Sequence, residues 1–105
     1  MPNIMKVMKQ VKTMQSNLGK KQEELEATEL EYTAGGGAVT VKIRGSGTIT
    51  GIALSDAALQ GGDKEMLEDL LLTAVQGAQA LARETTEREM GKLTAGLNLP
   101  PGFGF

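Results

Sequence analysis

Residues 63–95 read DKEMLEDLLLTAVQGAQALARETTEREMGKLTA, and the rest of the chain has to be arranged around them. The stretch has no proline and is rich in Leu, Ala, Glu, Lys and Arg, whose side chains lose little rotamer freedom in a helix. Asp63 is placed to cap the first turn, and Glu65, Glu68 and Asp69 put negative charge near the positive end of the dipole. Gly96 and Pro100 end the helix. At 1.5 Å per residue it is about 50 Å long. Leu67, Leu71, Ala74, Ala78 and Leu81 recur at steps of four and three, widened by Leu70, Val75 and Ala82, which is the stripe a helix lays on a sheet. Continuing the same seam meets Thr85 and Arg88, which are polar. A second apolar series, Met90, Leu93 and Leu97, is displaced by roughly 100° around the axis. A chain of 105 residues has little left to cover it, so Met90, Leu93 and Leu97 are expected at the interface of a homodimer.

A length of 105 residues bounds the chain to one domain with one core. The core is aliphatic, because Tyr32, Phe103 and Phe105 are the only aromatic residues. Without cysteine there are no disulfides and no thiolate metal sites. No apolar run near the N-terminus reads as a signal peptide or membrane span, so no membrane partner is expected. The net charge of −2 argues against a polycation of the histone kind. A nucleic-acid surface would have to come from charge segregation within the chain.

Such segregation exists. Asn3 can cap a helix over residues 4–27, in which Ile4, Val7, Val11, Met14, Leu18 and Leu25 form a heptad seam interrupted at Lys21. Lys6, Lys9, Lys12, Lys20 and Lys21 all precede the first acid, and Glu23, Glu24, Glu26, Glu29 and Glu31 follow. Lys6, Lys9 and Lys12 fall on the side away from the seam. Cations in the first turns and carboxylates in the last oppose the helix dipole, by about 0.3–1 kcal/mol each. A stripe of solvated charge is the plain explanation; its unfavourable placement favours a binding role.

Between the helices lie three short strands, at about 29–33, 39–44 and 49–54. In the second, Val39, Val41 and Ile43 alternate with Thr40, Lys42 and Arg44. In the third, Ile49 and Ile52 fall on opposite faces, so Gly51 is expected to mark a bulge. Gly35-Gly36-Gly37 and Gly45-Ser46-Gly47 supply the turns. Residues 55–62 read as a short connection, residues 63–95 as the long helix, and 96–105 as an irregular tail. The fold class is α+β: a two-layer α-β-β-β-α domain with a three-stranded antiparallel sheet and two long helices, dimeric.

No reaction chemistry emerges. Gly45, Gly47 and Gly51 miss the G-x-G-x-x-G spacing, and Gly91-Lys92 lacks the upstream glycine of a P-loop. With neither histidine nor cysteine, the common bases, nucleophiles and zinc ligands are missing. Glu84 with Arg88 and Arg83 with Glu87 read as i,i+4 pairs on a helix surface. No catalytic residue, cofactor, metal or small-molecule substrate is expected.

Four stretches resemble the YbaB/EbfC family of bacterial nucleoid-associated proteins. They are Met8-Lys9-Gln10 to Met14-Gln15, Gly37-Ala38-Val39-Thr40-Val41, Asp63-Lys64-Glu65-Met66-Leu67-Glu68-Asp69-Leu70 and Leu99-Pro100-Pro101-Gly102-Phe103. The acidic helix start and the Pro-Pro-Gly-Phe tail together are the more specific part. The resemblance implies an α-β-β-β-α homodimer whose helices project from a central sheet like tweezers. It also implies duplex DNA as partner, limited or variable sequence preference, and a place in the cytoplasm on the nucleoid, without a cofactor.

The charge pattern, not the resemblance, selects the DNA-contacting residues. Lys6, Lys9, Lys12, Lys20 and Lys21 are expected to neutralise backbone phosphates, which positions a protein without reading sequence. Lys42, Arg44, Arg83 and Arg88 are the second choice. Scarce aromatics argue against a single-strand stacking platform. The rival reading is a protein-interaction or scaffolding dimer that does not bind DNA directly.

Overall fold

The computed structural model describes residues 4–96, with side chains to residue 93. The order is α1 (Ile4–Ala27), β1 (Glu29–Ala34), β2 (Val39–Arg44), β3 (Ile49–Leu54), α2 (Asp56–Gln60) and α3 (Lys64–Gly96). The strands form one antiparallel sheet in the order β1-β2-β3. The expected α+β architecture of a helix, a meander and a long helix is what forms.

Local signals set most boundaries. Asp63 Oδ1 accepts the Met66 N–H at 3.0 Å, so Asp63 is the cap and α3 begins one residue later. Gly35, Gly36 and Gly37 all take positive φ (65°, 69° and 101°), a backbone that side chains avoid, and so return β1 into β2. Residues 55–62 are more than a connection. Ser55 Oγ accepts the Ala58 N–H at 3.1 Å and starts α2. Five residues are too few to show a helical period, so this turn left no pattern in the sequence.

The core is the centre of the sheet under α3. Val39, Val41 and Ile43 are fully buried, and Ala74, Ala78 and Ala82 cover them. Small residues bring the helix close to the sheet, and Leu30, Tyr32, Leu54, Leu67, Leu70, Leu71 and Val75 close the sides. Thr85, a polar interruption in sequence, is buried too. Its hydroxyl donates to the Leu81 carbonyl at 2.7 Å, which satisfies it inside its own helix.

The β2–β3 register explains the isoleucines of β3. Lys42 pairs with Gly51 and Ile43 with Ile49, which leaves Thr50 as the extra residue beside the expected Gly51. The shift brings Ile49, Ile52 and Leu54 onto the face of Ile43, Val41 and Val39, their cross-strand partners. Contacts of α3 fall mainly on β1 and β2. Ile49 and Ile52 therefore remain 37 % and 51 % exposed on the core side of the sheet.

At the opposite end from the glycine turn, three elements meet at Gly45. Leu25 is buried there, with its carbonyl oxygen 2.9 Å from where a Gly45 Cβ would be. Arg44 Nη1 donates to the Glu26 carbonyl at 2.9 Å, and Thr86 Oγ1 to the Gly45 carbonyl at 2.8 Å. From this junction α1 and α3 leave the sheet side by side and antiparallel, in a molecule 71 × 23 × 15 Å. This corrects one premise of the sequence reading. The end of α3 has a neighbour within its own chain, and Met90 and Leu93 are half-buried in the single chain. Leu97 lies outside the described residues, as does the tail that follows.

Candidate nucleic-acid interface

The site is built on the first helix. Lys6, Lys9, Lys12 and Lys20 are exposed, and none forms an ion pair among the described residues. Steps of three residues advance roughly 300°, so Lys6, Lys9 and Lys12 span about 120° opposite Val7, Val11 and Leu18. The helix reaches beyond the sheet, so these cations stand apart from Asp56, which opens α2, and from Asp63, Glu65, Glu68 and Asp69 around the start of α3. A molecule with a net charge of −2 thus presents an arm without acids as far as Gln22.

Lys21 is placed differently. Its Nζ lies 3.0 Å from Glu24 and 3.5 Å from Glu89 on α3, and its side chain is only 25 % exposed. The Glu24 hydrogen bond is the main cause of a raised ammonium pKa, burial opposes it, and Glu89 adds to it. Glu89 is held below its ordinary value chiefly by the charge of Lys92 at 3.6 Å; burial opposes this, and Lys21 adds to the lowering. The lysine that interrupts the heptad seam is the residue that ties α1 to α3. It is engaged within the chain, unlike the other four.

The second set does not form one patch. Lys42 is exposed on the sheet face opposite α3, and Arg44 is half-buried with its guanidinium on the Glu26 carbonyl. Arg83 lines a shallow depression with Gly45, Ser46, Gly47, Gln79 and Glu87. Arg88 lies about 140° around the α3 axis from Arg83. The expected Arg83–Glu87 and Glu84–Arg88 pairs are not among the ion pairs of the described residues, where Lys64–Glu68 at 3.8 Å is the i,i+4 pair. Among the described residues no group of three or more His, Cys, Asp or Glu is placed to hold a metal, and no helix is long and apolar enough to cross a membrane.

A two-layer α+β domain with a cationic helical arm is the class that the fold and the site define. The chain belongs to the YbaB/EbfC DNA-binding family, whose model matches residues 1–97. It is 43 % identical over 102 residues to a nucleoid-associated protein of Alkaliphilus metalliredigens, covering 97 % of this chain and 90 % of that one. A nucleoid-associated protein of Desulforamulus reducens is 48 % identical over 101 residues, covering 96 % of each chain. The crystal structure of the uncharacterized protein HP0035 from Helicobacter pylori superposes with a TM-score of 0.77 at 19 % identity, over 89 % of this chain and 98 % of that one. That likeness carries the fold alone.

Proposed function

We propose that the protein is a nucleoid-associated homodimer that binds duplex DNA through backbone phosphates with little sequence specificity, in the cytoplasm, on the nucleoid. It would thereby affect nucleoid organisation and gene expression. The observation that carries this reading is the exposed, unpaired set Lys6, Lys9, Lys12 and Lys20 on an arm free of acids. Family membership and relatives named as nucleoid-associated proteins support it. Lysine ammonium groups act on phosphate as point charges and carry no base readout. The same reading assigns no catalytic role to any residue.

Two surfaces are candidates for the contact of a homodimer. One is the series Met90, Leu93 and Leu97 of the sequence reading. The other is the core-side face of β3, where Ile49 and Ile52 are left open by α3. Edge strands that stay free in solution commonly carry charge, and β3 (ITGIAL) carries none, whereas β1 at the other edge has Glu29 and Glu31.

The test is a band-shift titration with unrelated duplexes at several salt concentrations. Phosphate binding predicts a steep, linear fall of log K with log salt and similar affinity for every duplex. Little binding at any salt would overturn the reading in favour of a scaffolding dimer.

A further inference from the structure

Every residue of α1 from Ile4 to Thr13 is exposed, and Met14 is the first that is half-buried. Ile4 (73 % exposed), Val7 (46 %) and Val11 (41 %) lie on the same seam as Met14, Leu18 and Leu25, at alternating steps of three and four up to Leu18. The later part of that seam meets other elements of its own chain. There α1 packs on α3, Lys21 reaches Glu89, Leu18 is half-buried and Leu25 is buried. One seam is thus covered at its end and bare at its start.

The flanks of the bare face narrow what fits on it. Met8, Gln10, Gln15 and Asn17 border the seam on its two sides, and none carries a charge. In helix pairs these bordering positions are where charges select one partner and reject another. Lys6, Lys9 and Lys12 lie on the opposite side of α1, turned away from any helix laid on the seam. A partner chosen by charge has nothing to read here, whereas an identical face meets no repulsion. The stretch is also its own match. Laid antiparallel with Ile4 beside Met14, it sets Val7 beside Val11, and the two-fold axis repeats both apolar layers. The parallel alternative fails on space. Each α3 lies against its own seam further along, so parallel arms would bring both α3 helices to one place. Antiparallel arms keep them at opposite ends.

We propose that the apolar face of Ile4, Val7 and Val11 binds the same face of a second copy of this chain. The two arms run antiparallel, with Ile4 beside Met14 and Val7 beside Val11. Two helices of about three turns each fall short of the roughly 1,200 Å² that stable interfaces bury. The contact is therefore weak alone and gains strength where copies are held close together. It is separate from β3 and from the end of α3, the candidates for the homodimer contact. A molecule with two distinct two-fold faces assembles into chains rather than one closed pair. Lys6, Lys9 and Lys12 stay outward on both arms.

The chain has no cysteine, so single cysteines in the full chain report the contact. Val7→Cys chains and Val11→Cys chains of different mass are mixed and mildly oxidised. The mixed disulfide should form about tenfold faster than the bridge between Lys9→Cys chains, whose thiols point to the outer sides. Val11→Lys places a charge in both central layers at a position already exposed. The wild-type mass in sedimentation should rise about twofold from micromolar to near-millimolar protein, and that of Val11→Lys should not, at equal helix content. Both results together support the proposal. Mixed bridging no faster than at Lys9→Cys, or an excess of like-to-like bridges, overturns it. So does a mass that stays constant in the wild type or rises equally in the variant. Neither readout involves DNA, so the DNA-binding reading stands or falls separately.

Discussion

The ring of Tyr32 on β1 lies against the backbone of Gly77 on α3, in the space a Cβ at position 77 would occupy. Glycine costs a helix interior about 1 kcal/mol relative to alanine, and here that cost admits an aromatic ring between helix and sheet. In Gly77→Ala the ring has to leave this position. Overpacking costs typically about 1–3 kcal/mol, which outweighs the helix gain, so a net loss of stability is expected in a denaturant melt. Tyr32→Leu should restore much of it. A single variant more stable than wild type would show that the ring is free to move.

Core substitutions should follow burial rather than position in the seam. Ile43 is fully buried, so Ile43→Ala should cost about 2–5 kcal/mol. Leu71 lies at the edge of the same cluster and is half-buried, so Leu71→Ala belongs at the low end of that range. Equal losses at both positions in urea titrations would place the centre of the core nearer the start of α3.

The cluster of Lys21 with Glu24 and of Glu89 with Lys92, joined by the Lys21–Glu89 contact, gives stability a pH dependence of known sign. Glu89 has a lowered pKa, so its contribution is present above the ordinary carboxyl range and is lost as pH falls through the lowered value. Lys21 has a raised pKa, so its contribution is complete below the ordinary ammonium range and is lost as pH rises through the raised value. The contribution of this cluster to stability should thus be greatest near neutral pH. Glu89→Gln should weaken the acid-side decline in thermal melts followed from neutral to acid pH. An unchanged acid limb would assign that decline to other carboxylates.

For DNA binding, the change of Lys6, Lys9 and Lys12 to Gln should flatten the slope of log K against log salt. Each phosphate contact contributes about 0.9, and two subunits present the stripe twice, so the limit is about 5 units. The fold should be unharmed, because three cations leave a stretch the dipole disfavours. Lys21→Gln should change the slope little and stability more. A folded triple variant with the wild-type slope would move the contact surface to Lys42, Arg44, Arg83 and Arg88.

Assembly separates the two candidate interfaces. If β3 is the subunit contact, Ile52→Lys should yield folded monomers by light scattering, since the side chain is already exposed in the single chain. Met90→Lys should then leave the dimer intact. The reverse pattern would return the interface to the end of α3, and wild-type monomers at micromolar concentration would remove the homodimer altogether.

Several features were written into the sequence because their cause is local. Asp63 caps α3 through a bond to an amide three residues on, and the alternation of Val39, Val41 and Ile43 is a property of one strand. The fold class and the isolation of Lys6, Lys9 and Lys12 from acids could be read in the same way. Other features depend on which elements meet. Lys21 looked like a fault in a heptad until Glu89 of α3 came beside it. Thr85 looked like the end of the buried stripe and is itself buried, because its hydroxyl is satisfied by the Leu81 carbonyl within α3. Ile49 shares a face with Ile52 only through a bulge set by the register with β2. The bare face of α1 was hidden most completely. Its seam runs from Ile4 to Leu25, broken at Lys21, yet Ile4, Val7 and Val11 are exposed while Leu25 is buried. Periodicity records which side of an element is apolar; only packing decides what reaches it.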